Sequence, residues 1–200
     1  NISEVAKLQP DYMGFIFYKK TPRYFEAQMP EIPSAVKKTG VFVDEKINII
    51  LERIKEHDLN VIQLHGAESA AFCAELKTLL IETEVEIIKV FSIKDDFDFE
   101  RLKEYEPVVD YFLFDTKGKN KGGNGITFNW EILKEYPSKK PFFLSGGIGA
   151  EEVEAIQELK AYFEENAKEN LLYAIDVNSK FEEEAGFKNI EKLKEFKKRF

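Results

Sequence analysis

Asp115 closes the apolar run Phe112-Leu113-Phe114, and a glycine-rich stretch, Gly118 to Gly125, begins just behind it. A carboxyl group there could give or take a proton in a reaction. Taken alone, an acid at the end of an apolar run is more often a cap than a catalyst. Sibling runs, however, end on chemistry-bearing residues as well. In chain order these are Tyr18 with Arg23 close behind, Asp44-Glu45, His65-Gly66, Ser92, Ser145-Gly146-Gly147, and Asp176 with Asn178-Ser179. This is a polar ring suited to a small, anionic, hydroxylated substrate. Ser145-Gly146-Gly147-Ile148-Gly149 leads into the acidic start of a helix, Ala150-Glu151-Glu152. Glycines let the backbone approach a phosphate, and helix N-termini add unpaired N–H donors. Asn178-Ser179 ahead of Lys180 can complete such a cradle.

The elements that must carry these residues are legible as apolar runs. They are Asp11 to Phe17, Gly40 to Val43, Val61 to Leu64, Glu86 to Phe91, Tyr111 to Phe114, Pro141 to Leu144 and Tyr173 to Val177. Near-continuous apolar runs mark strands covered on both faces. Their spacing leaves room for crossover helices between parallel neighbours. Ile47, Ile50, Leu51 and Ile54 form one helical stripe, and Phe72, Leu76, Leu79 and Leu80 another. Later helices are marked by Val153, Ile156 and Phe163, and by Ile190, Leu193 and Phe196. Pro30 and Pro33 make the crossover between Glu26 and Lys38 short or irregular.

Strand–helix alternation throughout 1–200 predicts one α/β domain with a parallel sheet. Seven strands behind a starting helix (Asn1 to Leu8) fit a (β/α)8 barrel with seven of its eight strands in this chain. The first strand is then expected upstream of residue 1; a seven-stranded relative is the alternative. In such barrels the site lies at the C-terminal strand ends, and the loops after strands seven and eight often bind phosphate.

Composition narrows the function. A formal net charge of −8 argues against a general nucleic-acid binder, which would show a basic face. No apolar run approaches the roughly 20 residues that span a bilayer. One cysteine, Cys73, excludes an internal disulfide framework and fits a reducing, cytoplasmic setting.

The motifs together resemble the phosphoribosylanthranilate isomerases of tryptophan biosynthesis. They are Asp11-Tyr12-Met13-Gly14-Phe15-Ile16-Phe17-Tyr18, Thr21-Pro22-Arg23-Tyr24, Gly40-Val41-Phe42-Val43 and Gln63-Leu64-His65-Gly66. In the second half they are Phe114-Asp115-Thr116-Lys117, Gly122 to Gly125 with Phe128-Asn129-Trp130, Leu144 to Ile148, and Ile175-Asp176-Val177-Asn178-Ser179. The resemblance implies a cofactor-free Amadori rearrangement of a phosphorylated small molecule, with no metal. It implies that Asp115 is the general acid, its pKa raised by burial, and that Arg23 pairs with the anthranilate carboxylate. It makes Asp176 an acceptor for the anilino nitrogen or an orienting group, and Gly146, Gly147, Asn178 and Ser179 the phosphate contacts. A monomer or homodimer is expected, without nucleic acid or membrane.

Departures from the family pattern matter. The family's general base is a cysteine at the end of the first strand, in a Lys-x-Cys-Gly type of motif that this sequence lacks. Cys73 lies on a helical stripe and is expected to pack. Lys180 stands where many relatives place glycine. Gln63 and His65 read as wall residues, His57 as solvated, and Lys117 to Lys121 as a lid. Two rival readings are an aminoribose-phosphate isomerase of histidine biosynthesis and a non-catalytic phosphate-binding barrel.

Overall fold

The computed structural model describes residues 1–94, 96–116 and 129–200. The expected lid, Lys117 to Lys121, and the Gly122 to Gly125 motif lie outside the described residues.

A short helix α1 (Ile2–Ala6) precedes seven strands: β1 (Tyr12–Ile16), β2 (Lys37–Phe42), β3 (Val61–Leu64), β4 (Glu86–Ile93), β5 (Tyr111–Thr116), β6 (Phe142–Leu144) and β7 (Leu172–Ile175). They form one sheet in sequence order, and every neighbouring pair is parallel. Crossovers carry α2 (Ile47–His57) after β2, α3 (Ala70–Leu79) after β3 and α4 (Val153–Glu165) after β6; α5 (Ile190–Lys197) follows β7. Among the described residues, short 3₁₀ helices, Phe99–Leu102 and Trp130–Glu135, follow β4 and β5. The proline-bearing stretch between β1 and β2, where a short or irregular helix is expected, forms no helix at all.

The sheet curls strongly. Tyr12, opening β1, and Tyr173, in β7, bring their hydroxyls to 3.4 Å although β1 and β7 stand at opposite ends of the strand order. The inside of the curl holds a small apolar cluster of Val61, Ile88, Val90, Leu113 and Phe143. A larger core lies outside, between strands and helices, and includes Phe42, Ile62, Leu64, Phe112, Phe114 and Phe142. Alternate residues of one strand serve the two cores, as in any barrel whose interior is packed. That division is why the runs read as continuously apolar.

The same alternation places the polar ends. Gln63 and His65 continue the inward set begun by Val61, Asp115 continues that of Leu113, and Ser145 that of Phe143. Apolar side chains fill the interior, and polar ones occupy its upper rim.

Two features depart from the sequence reading. His57 is not solvated: it is 8% exposed, with its ring stacked at 5.1 Å on Phe17, and burial lowers its pKa. Beyond β7 the chain also makes a hairpin, β8 (Glu182–Glu184) and β9 (Phe187–Lys188), that the run of glutamates disguised.

Candidate active site

Each rim residue is fixed by the last rung of a strand ladder. The backbone N–H of His65 donates to Phe42 O, that of Ser145 to Phe114 O and that of Asp176 to Leu144 O, all at 2.8 Å. These side chains therefore leave rigid sheet rather than flexible loop. Asp115 lies within β5, 7% exposed and opposite Ser92 in register.

The rim is wired together. His65 Nε2 is 3.2 Å from Asp115 Oδ2, and His65 Nδ1 is 3.3 Å from Gln63 Nε2. The amide nitrogen of Gln63 can only donate, so Nδ1 accepts and a neutral ring carries its proton on Nε2, toward Asp115. Ser145 Oγ donates to Asp176 Oδ2 at 2.9 Å. Burial raises the pKa of Asp176; the Ser145 hydroxyl opposes this, while the Asp115 charge adds to it. The site thus holds one carboxyl group oriented by an imidazole and a second biased toward its protonated form.

Arg23 is brought in by a short parallel return. After β1 the chain folds back so that Tyr24 bridges Ile16, and Phe25 N–H donates to Ile16 O at 2.8 Å. Arg23 stands immediately before this anchor and lines the same cavity as Asp115 and Asp176. Its guanidinium is held by Glu182 of the hairpin, with Nε 2.9 Å and Nη2 2.5 Å from Oε2. Composition and spacing had offered no signal for Glu182.

The Gly146-Gly147 loop and the Asn178-Ser179 turn meet. Gly146 and Gly147 have φ of 92° and 71°, a left-handed backbone that glycine adopts freely. A Cβ at Gly146 would collide with the Thr116 backbone and hydroxyl, so only glycine lets this loop approach β5. Lys180 packs its Cβ and Cγ about 3.3 to 3.4 Å from where a Gly149 side chain would begin, which brings the Asn178-Ser179 turn beside the Gly146-Gly147 loop. Both turns line the cavity.

That cavity measures ≈ 1200 Å³, more than a small ligand requires. Its upper part is the rim just described; its lower part runs down between β1 and β7, reaching Met13 and Leu172. Cys73, fully buried in α3 with its thiol pushed up to about 11 by burial, takes no part. Asp44 is structural, because its side chain accepts from Ala67 N–H and its own N–H donates to Glu68. Among the described residues no group of three or more His, Cys, Asp or Glu is arranged to hold a metal ion. Likewise, no helix there is long and apolar enough to cross a membrane.

Comparison with known proteins places this arrangement. A family model described as N-(5'-phosphoribosyl)anthranilate (PRA) isomerase matches residues 1–199. The N-(5'-phosphoribosyl)anthranilate isomerase of Parabacteroides distasonis is 41% identical over 202 residues, which cover 98% of this chain and 86% of that protein. The crystal structure of the Thermotoga maritima enzyme superposes with a TM-score of 0.77 at 28% identity, covering 99% of this chain and 92% of that one. Another phosphoribosyl anthranilate isomerase, solved with reduced 1-(O-carboxyphenylamino)-1-deoxyribulose 5-phosphate, superposes at 0.73 with 26% identity and coverages of 99% and 92%.

Proposed function

The chain belongs to the N-(5'-phosphoribosyl)anthranilate isomerase family, and from that premise we propose how its own residues carry the family's reaction. The protein is an aldose–ketose isomerase of tryptophan biosynthesis. It converts N-(5-phosphoribosyl)anthranilate into 1-(2-carboxyphenylamino)-1-deoxyribulose 5-phosphate.

Asp115 is the general acid. It gives a proton to the furanose ring oxygen as the bond from that oxygen to C1 breaks, and the anilino nitrogen's lone pair forms the C1=N bond of the open-chain imine. Loss of the C2 proton to a general base gives an enolamine, which tautomerises to the ketone. His65, held by Gln63, orients the Asp115 carboxyl toward the ring oxygen. Arg23 takes the anthranilate carboxylate through its guanidinium fork. Gly146, Gly147, Asn178 and Ser179 receive the phosphate on backbone amides and the Asn178 side chain. Asp176, made more basic than an ordinary carboxylate by burial, accepts from the anilino nitrogen.

The observation that carries this reading is the His65–Asp115 contact, in a cavity also lined by Arg23 and by the Gly146-Gly147 and Asn178-Ser179 turns. Among the described residues no cysteine reaches a strand end. The protein is taken to act in the cytoplasm as a monomer or homodimer, which sedimentation velocity distinguishes.

Turnover of N-(5-phosphoribosyl)anthranilate by the full-length protein, assayed beside the aminoribose phosphate of histidine biosynthesis, tests the assignment. Conversion of the first alone is expected. Conversion of only the second, or tight binding of the product analogue with no turnover of either, would overturn it.

A further inference from the structure

We propose that Glu182 positions Arg23 for a ligand carboxylate, and that the chain Arg23–Glu182–Lys188–Asn178 sets the distance between the carboxylate and phosphate ends of the site. This rests on the isomerase reading and assigns it two residues, Glu182 and Lys188, that touch no reacting atom.

Glu182 begins the hairpin after β7, and its side chain is only 4% exposed. Arg23 Nε donates to both of its oxygens, at 3.0 and 2.9 Å, and Nη2 donates at 2.5 Å. Glu182 thereby occupies the Nε–Nη2 side of the planar guanidinium. A guanidinium has five N–H donors in fixed directions. The end-on pair, Nη1 and the second proton of Nη2, remains for another planar acceptor. Among the described residues nothing accepts from Nη1, and Arg23 faces the cavity that holds Asp115 and Asp176. A guanidinium gripped along one side and open at its end is set for bidentate capture of a carboxylate.

The charge count points the same way. Glu182 is contacted by Arg23 and by Lys188 Nζ, 2.7 Å from Oε1, and it also accepts from Gly186 N–H at 3.1 Å. Two cations on one carboxylate leave a net charge of +1 in a half-buried place. A simple staple would be neutral; a surplus cation favours an anionic ligand.

Lys188 extends the chain to the other end. Its Nζ lies 2.5 Å from Asn178 Oδ1. An ammonium only donates, so it holds the amide oxygen of Asn178 and turns the amide NH₂ away. Among the described residues nothing accepts from that NH₂. Phosphate is acceptor-rich, and a donor-only face is what it needs. The hairpin thus ties one anion site to the other through two half-buried ionic contacts on Glu182. Its own position is held by Asn1, whose side chain exchanges hydrogen bonds with the Lys188 backbone at 2.8 and 3.0 Å.

Calorimetry tests this with three ligands: the reduced product analogue, the same analogue lacking its ring carboxylate, and inorganic phosphate. The full-length wild type is expected to prefer the carboxylated analogue by at least about tenfold, the scale of a charged bidentate contact. Glu182→Gln should bring the two analogues to within about twofold of each other while phosphate binding holds, since a neutral amide no longer fixes the guanidinium. Lys188→Met should reduce the preference and also weaken phosphate severalfold. An unchanged preference in folded Glu182→Gln, or unchanged phosphate binding in folded Lys188→Met, would overturn the proposal. If Glu182→Gln does not fold, Glu182→Asp, one methylene shorter, must retract Arg23 and lower the preference by the same logic. A wild type that ignores the carboxylated analogue would instead refute the isomerase reading itself.

Discussion

His65 Nε2 sits 3.2 Å from Asp115 Oδ2, joining the end of β3 to the end of β5 across the barrel rim. Gln63, two residues back on the same strand, fixes the imidazole from its other nitrogen. The contact makes His65 the residue that aims the proposed acid. His65→Ala should lower kcat roughly 10–100-fold, because misplacing a reacting group by about 1 Å can cost that much. Gln63→Leu leaves the ring in place but frees its tautomer, and should cost less. Steady-state kinetics on both variants checks the order.

Asp115→Asn keeps the shape of the side chain and removes its proton chemistry. It should lower kcat by about 10²–10⁴-fold, the usual contribution of general acid–base catalysis, with KM little changed. Retained binding of the product analogue separates this from misfolding.

Glu182 and Asp176 give stability opposite dependences on pH. Burial alone would raise Glu182, but hydrogen bonds from Arg23 and Lys188 prevail and lower it from 4.5 to about 2. Its contribution is therefore present above about 4.5 and lost as pH falls toward about 2. Burial raises Asp176 above 3.8, so its contribution is present below that value and lost as pH rises through the folded pKa. Denaturant titrations across this range should show Glu182→Gln flattening the acid limb. Asp176→Asn should remove the opposite slope.

Gly146→Ala should damage the phosphate turn specifically. The left-handed φ of 92° strains any side chain, and the added methyl collides with Thr116. A loss of about 1–3 kcal/mol in stability is expected from such backbone strain, with weaker inorganic phosphate binding by calorimetry.

Lys89 and Glu68 form a buried ion pair at 2.9 Å, with side chains 3% and 2% exposed. Glu68 also accepts from Asp44 N–H and Gly66 N–H, and Lys89 reaches Leu64 O and Gly66 O. The pair thus pins the turn that carries His65. Removing one partner leaves a buried charge uncompensated, so Lys89→Met should cost about 3–5 kcal/mol in urea unfolding. Lys89→Met with Glu68→Leu should recover much of that loss.

The sequence alone determined the strand order, the parallel α/β class and the rim. Each strand is a buried apolar run, and the residue after such a run must leave the sheet at its C-terminal end. Asp115, Asp176 and the Ser145-Gly146-Gly147 and Asn178-Ser179 turns are therefore legible as strand ends, Arg23 is legible through its motif, and Cys73 through its place on an apolar helical stripe. Only the tertiary structure decided which rim residues meet. His65 and Asp115 are 50 positions apart and Arg23 and Glu182 are 159 apart, and closure of the sheet creates both contacts. Glu182 could not be singled out among three consecutive glutamates, since its identity comes from a hairpin whose register buries one of them. The burial of His57 is hidden in the sequence for the same reason. A helix terminus full of charges reads as solvated until the β1 loop lays Phe17 and Phe25 against the ring. Periodicity reports which face of an element is buried, whereas the partner on that face is set by how distant strands close upon one another.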